Sequence, residues 1–265
     1  MQMSLTPMVK NLLILNIGVF IIMAFTKVDL IGILGLKYLN APGMKTEAYR
    51  YFTHMFVHAD WGHLFSNMFG LFMFGPLLER VWGPMRFLAF YMICGLGAAM
   101  LYSGVLYFEM HHLEVLKNNF ISNPSPELFI KFIRESVGDQ FLGSFQFLDG
   151  YEKNPGNPTF INYAKDQIID IYNYTINRPM VGASGAIFGV LMAFGLLFPN
   201  TEMFLLFVPV PIKAKYIVGF YGLFEIYAGI QRNPGDNVAH FAHIGGMLFA
   251  FLIVKYWERE RNRFY

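Results

Sequence analysis

The sequence predicts an all-α, polytopic membrane protein, a bundle of six transmembrane helices with a long outer-side insert between spans 3 and 4. Three observations carry that expectation. Of 265 residues, 55% are hydrophobic and only 14% charged, above the apolar share of an ordinary soluble domain, and the mean hydropathy is +0.41. Segments 11–26, 62–79, 84–107, 181–198, 214–231 and 238–256 approach or meet the about 20 mostly apolar residues that a helix needs to cross about 30 Å of hydrocarbon. Helices satisfy their own backbones in lipid. Residues 108–178 are the only stretch that looks soluble.

Span 1, "NLLILNIGVFIIMAF" after Lys10, is followed by no small-x-small cleavage site before Lys27, so it reads as a retained helix rather than a signal peptide. Spans 2 and 3 are joined by a connection carrying Arg80 and Arg86, and spans 4 and 5 by one carrying Lys213 and Lys215. The tail "KYWERERNRFY" after span 6 holds Lys255, Arg259, Arg261 and Arg263. By parity these basic stretches share one side with the amino terminus, and the positive-inside rule makes that side the cytoplasm. The expected setting is a bacterial inner (plasma) membrane with both termini cytoplasmic. Residues 27–61, the insert 108–178 and the loop "QRNPGDN" then lie outside.

The chain therefore divides into 1–107 (spans 1–3), 108–178 (a polar, partly helical insert), 179–256 (spans 4–6) and 257–265 (a basic cytoplasmic tail). In the insert, "SPELFIKFIRESV" offers Ser125 as an N-cap with Pro126 at the first helical position. "FINYAKDQIIDIY" repeats apolar residues at Ile161, Ala164, Ile168 and Ile171. Both read as amphipathic helices on the membrane face or against the outer loops, and a helical spacer without chemistry is the plainer reading of them. Asn173-Tyr174-Thr175 fits a glycosylation triplet, a pattern common by chance.

A formal charge of +2 gives no reason to expect nucleic acid as a partner. The single cysteine, Cys94, excludes an internal disulfide framework and a Cys-based zinc cluster. His54 and His58 stand four apart, but the metalloprotease pattern His-Glu-x-x-His is absent and no carboxylate companion lies nearby in sequence. No cofactor or metal is implied.

Polar residues inside spans are expensive and are functional candidates by default. Span 2 opens with His63 and Asn67, four apart and on one helical face. Span 4 opens with Ser184 inside "MVGASGAIFGV", and span 6 with His240 and His243. Spans 2, 4 and 6 all enter from the outer side, so these groups share one depth. A neighbouring histidine can take the serine proton and return it to a leaving amine. Asn and His side chains, with the Ser184 N–H in a first helical turn, can donate to an oxyanion. Gly185 and Gly189 beside the serine, and Gly246 and Ala250 below His243, favour close helix approach. At about 100° per residue His243 lies on that small-residue face, whereas His240 is expected at the outer interface. Acyl transfer in the outer part of the membrane is the implied chemistry.

On these residues the chain resembles the rhomboid intramembrane serine proteases. That family's pattern is a Trp-Arg-containing first loop, His-x-x-x-Asn in span 2, Gly-x-Ser-Gly opening span 4 and Ala-His-x-x-Gly-x-x-x-Gly in span 6. Here these are Tyr49-Arg50, His63 to Asn67, Gly182-Ala183-Ser184-Gly185, and Ala242-His243 to Gly246 and Ala250. Also similar are "YFTHMFVH", Gly75 and Glu79 closing span 2, Gly83, and Arg86-Phe87. Tyr49 stands where the family has Trp, and Ala250 where it has the last Gly. The resemblance covers about 27–107 and 179–256, and implies a rhomboid-like bundle.

It also implies Ser184 as nucleophile and His243 as base, a dyad without a carboxylate, with His63 and Asn67 forming the oxyanion hole. No Asp lies within the spans, and Glu225, the one deep acid, is expected to be a packed or water-facing residue of span 5. The implied function is hydrolysis of peptide bonds in or next to transmembrane segments of single-span membrane proteins, with the lipid bilayer as setting. Two other classes are open. One is a catalytically silent rhomboid-like protein that binds membrane clients, although it usually lacks the serine or histidine present here. The other is a small transporter, which would place polar groups through the full depth, whereas the inner halves of spans 2, 4 and 6 are nearly pure Leu, Phe, Met and Gly.

Overall fold

The computed structural model describes residues 4–38, 47–204, 210–231 and 238–261. The loop residues 232–237 and Arg263, both used in the topology argument, lie outside them. The described residues are helical apart from loops and one two-stranded hairpin, β1 (Glu202–Met203) and β2 (Ile212–Lys213), before span 5.

The first span is α1 (Pro7–Phe25), preceded by proline chemistry suited to a helix start. Its amino-terminal N–H groups are capped from another helix. Glu79 accepts from Met8 N at 3.0 Å, from Val9 N at 2.9 Å and from the Thr6 hydroxyl at 2.5 Å. A carboxylate near a positive helix end is favourable, which accounts for an acid that is only 3% exposed. Glu79 lies near the end of α4 (Trp61–Trp82), whose start is capped by Asp60 accepting from His63 N.

Between α1 and α4 the connecting loop holds two short helices, α2 (Leu30–Leu34) and α3 (Arg50–Thr53). Arg50 is buried there and organises the loop, since its Nη1 donates to the carbonyls of Gly32 at 2.8 Å and Gly35 at 2.7 Å, and its Nε pairs with Glu47.

Gly83, at φ +79°, makes the turn into α5 (Pro84–Ser122). At 39 residues this helix is about 58 Å long, nearly twice the hydrocarbon thickness. Span 3 was expected to end at 107. The helix instead continues 15 residues further, to Ser122, because no Gly or Pro interrupts residues 108–122 and a helix persists when its surface turns polar. The insert thus begins on a rigid continuation of span 3.

The rest of the insert folds back on that continuation as α6 (Pro126–Ser136), α7 (Leu148–Lys153) and α8 (Pro158–Asn177). Ser125 caps α6 by accepting from Leu128 N, as its sequence indicates. Phe129, Phe132 and Ile133 of α6, Tyr151 of α7, and Ala164 and Ile168 of α8 bury against Leu113, Leu116 and Phe120 of α5 in a core of their own. Ile161 and Ile171 pack at its margin.

The main core joins α1, α4 and α5 to α9 (Ser184–Leu197) and α11 (His240–Arg261). The segment expected as span 5 is α10 (Ala214–Gln231). Of the described helices, α1 and α5 are long and apolar enough to cross a membrane by length and composition. Helix α9 has 14 residues, about 21 Å, and starts three residues later than the segment 181–198 suggested. Gly182 at φ +115° holds a conformation that breaks the helix there.

Candidate active site

Ser184 is the first residue of α9, reached by an extended strand of chain fixed on both sides. Leu36 and Met180 exchange backbone hydrogen bonds of 2.9 and 2.7 Å, and Gly182 N donates to the His54 carbonyl at 2.9 Å. His54 is itself anchored, its Nδ1 donating to the Arg50 carbonyl at 2.9 Å. Burial pushes the His54 imidazole down to about 4, so it stays neutral at ordinary pH. The Tyr49-Arg50 loop therefore acts on the site through the backbone that delivers the serine. Tyr49 contributes a hydroxyl bond to the Ile33 carbonyl and lies beside the Arg50 guanidinium.

Three helices meet at that point with almost no side chain between them. A Cβ on Gly246 would stand 1.8 Å from the Gly185 carbonyl oxygen, one on Gly185 2.4 Å from the Ala98 Cβ, and one on Gly189 2.7 Å from the Cys94 Cβ. The small-residue face expected from Gly185, Gly189 and Gly246 is a real backbone-to-backbone contact of α5, α9 and α11. It brings His243 Nε2 to 2.8 Å from Ser184 Oγ. Phe188, one turn below the serine, stacks on the imidazole with ring centroids 4.0 Å apart and planes 8° apart, which fixes the ring plane.

His63 and Asn67 come from α4 to the opposite side of the serine strand. The missing side chain of Gly182 is what admits His63, since a Cβ there would lie 2.5 Å from its Nε2, while Asn67 Nδ2 would stay at an ordinary contact distance of 3.5 Å. Asn67 is 4% exposed, and its Nδ2 has no hydrogen-bond partner among the described residues. A buried donor left open costs about 1–3 kcal/mol. The Ser184 N–H likewise precedes the first intrahelical bond of α9, Ile187 N to the Ala183 carbonyl. A void of about 10 Å³ between Ser184, His54, Met180 and Ala242 has room for about one water.

Two residues stand elsewhere than the sequence suggested. His240 is 8% exposed rather than at the outer interface. Glu225, 4% exposed, is paired rather than merely packed or facing water. Its Oε2 lies 2.6 Å from His240 Nδ1 and 2.9 Å from His243 Nδ1. The signal that could have found this was Glu225 itself, an acid in an apolar helix, whose partner lies on the next helix. The ligand-type atoms of Glu225, His240 and His243 fall within 4.8 Å of one another, a closeness that the two ion-pair contacts account for. His58 packs edge-on against His63, ring centroids 5.1 Å apart.

Comparison with known proteins places this arrangement. A family model described as the rhomboid domain matches residues 45–112 and 156–259, passing over the middle of the insert. RHOMBOID-like protein 12, mitochondrial, of Arabidopsis thaliana is 26% identical over 213 residues, 79% of this chain and 46% of that protein. Rhomboid-like protein 11, chloroplastic, of the same plant is 36% identical over 87 residues, 33% of this chain and 29% of that protein. Rhomboid protein 1, mitochondrial, of Saccharomyces cerevisiae is 36% identical over 89 residues, 32% of this chain and 25% of that protein. The chain spans less than half the length of these curated relatives. The serine delivered by the bound loop and the glycine-lined contact that brings up its histidine both fall inside the matched residues, and the chain belongs to the rhomboid family of integral membrane proteins.

Proposed function

We propose that the protein is an intramembrane serine endopeptidase that cuts single-span membrane proteins in or next to their transmembrane segments. The observation that carries this reading is the 2.8 Å approach of His243 Nε2 to Ser184 Oγ. Ser184 Oγ attacks the scissile carbonyl carbon while Nε2 of His243 takes the hydroxyl proton. The oxyanion is held by Asn67 Nδ2–H, by His63 and by the Ser184 N–H. Collapse breaks the C–N bond and passes the proton from His243 to the leaving amine. Water then attacks the acyl-serine, its proton going to His243 and from there back to Ser184 Oγ, and the new carboxyl terminus leaves.

The same reading has six spans, with α4, α9 and α11 entering from the outer face and both termini on the side of the basic connections. The relatives named for mitochondria and chloroplasts lend no support to a bacterial inner membrane, so sidedness rests on the Lys and Arg distribution alone. The stretch 108–178 is an outer-side insert built on the extension of α5.

The test is cleavage of a single-span substrate by purified protein in detergent. The wild type is expected to cut near the outer end of the substrate helix, helped by Gly, Ser or Pro that loosen it. Ser184→Ala is expected to be inactive with an unchanged melting temperature. A folded wild type that binds such substrates without cutting them would instead make the protein a client-binding member of the family.

A further inference from the structure

His243 has two ring nitrogens, and only one of them faces the serine. For Nε2 to accept the Ser184 proton, the neutral imidazole must carry its own proton on Nδ1. That Nδ1 is buried and makes no hydrogen bond among the described residues. Glu225 Oε2 lies 2.9 Å from it, an ion-pair contact rather than an in-line hydrogen bond. Stacking on Phe188 sets the ring plane but leaves both tautomers equally placed. Only an acceptor beside Nδ1 distinguishes them.

We propose that Glu225 of α10 is a positioning residue that holds His243 in the Nδ1–H tautomer, so that the site works as a Ser184–His243–Glu225 relay of contacts rather than a two-residue dyad. The inference rests on the peptidase reading for its catalytic consequence, though the contact stands apart from it. His240 completes the arrangement from one turn away on α11. Its Nδ1, 2.6 Å from the same Oε2, holds the carboxylate in place, which explains why an acid and two histidines are buried together. The charged and titratable groups facing His243 are then Glu225 from α10, His240 from its own helix and His63 from α4. Of these, only Glu225 can accept from Nδ1 while staying an acceptor in every state of the cycle. As His243 becomes an imidazolium during acyl transfer, the carboxylate stands beside the new charge in a site shielded from water.

Glu225→Leu removes the acceptor with little change of volume, and Glu225→Asp keeps it on a shorter arm. Both are compared with wild type and Ser184→Ala, matched by melting temperature, for turnover and KM on a single-span substrate and for the rate of Ser184 labelling by a fluorophosphonate. The expected result is a fall in kcat of about 10²-fold for Glu225→Leu, KM within about threefold, a parallel fall in labelling rate, and recovery of at least about tenfold in Glu225→Asp. In parallel, ¹⁵N spectra of histidine-labelled wild type are expected to show His243 as the Nδ1–H tautomer, assigned by its loss in His243→Ala, with the population moving to Nε2–H in Glu225→Leu. Wild-type kcat and labelling in a folded Glu225→Leu would overturn the proposal. So would an Nε2–H tautomer in the wild type, a result that needs neither a folded Glu225→Leu nor an active enzyme. A wild type that neither cleaves nor labels would defeat the peptidase reading alone, leaving the tautomer to decide the inference.

Discussion

Two packed regions among the described residues are made by opposite means. Where α5, α9 and α11 meet, the contact is built by leaving side chains out, so that Gly185, Gly189 and Gly246 allow backbones to touch and Ser184 to reach His243. In the insert the contact is built by putting side chains in, with Phe120, Phe129, Phe132 and Tyr151 fully buried between α5, α6 and α7. Apolar side chains gain little by meeting one another in a medium as apolar as they are, so close packing and polar contacts must hold membrane helices together. In water, burying aromatic area suffices. The Ser184–His243 geometry depends on the glycine contact and the loop anchored by Arg50, whereas the aromatic core of the insert is a separate cluster that, among the described residues, meets that loop only through Tyr38.

That separation can be broken most visibly from the insert. Phe129→Ala is expected to cost its core about 3–5 kcal/mol, read as faster proteolysis and hydrogen exchange over 126–177, while turnover stays within about twofold. A collapse of turnover would show that the two cores are one cooperative unit. On the other side, Asn67→Ala removes a candidate oxyanion donor. Its turnover should fall by about 10²-fold, equivalent to about 2.7 kcal/mol, with KM and melting temperature little changed. A still smaller change sharpens the contrast, one methyl group placed at the glycine contact and one on the exposed surface of the insert. Gly246→Ala forces a Cβ against the Gly185 carbonyl and should cost about 1–3 kcal/mol together with most activity, because the α9–α11 spacing sets the Ser184–His243 distance. Gly143→Ala, with nothing within 4 Å of the new Cβ, should leave the melting temperature and turnover unchanged.

Most of the site can be read in the sequence because polar residues in apolar helices stand out. His63, Asn67, Ser184 and His243 are visible as such exceptions, and the glycines beside them mark where helices touch. The Ser125 cap and the Ile161–Ile171 stripe are legible for the reverse reason, as local patterns in a water-facing stretch. What escapes is whatever depends on a partner without a fixed spacing. Glu225 is as conspicuous an exception as Ser184, but its histidines lie 15 and 18 residues away on another helix, and helical periodicity links only residues within one element. Helical angles within α11 rank His240 and His243 only against the small-residue face, and the α10 carboxylate that holds both lies outside that periodicity. The extension of α5 to Ser122 is missed because polarity marks the end of a membrane core, not the end of a helix. Residues such as His112 and Glu135 then pair across α5 and α6 outside it.

The central claim, that the half-buried Ser184 is an activated nucleophile, is tested most directly by fluorophosphonate labelling of folded protein followed by peptide mapping. A single adduct on Ser184 is predicted for the wild type, absent in Ser184→Ala and lost in His243→Ala, where the base is gone but the hydroxyl remains. An unlabelled but folded wild type, or labelling undiminished in His243→Ala, would contradict it.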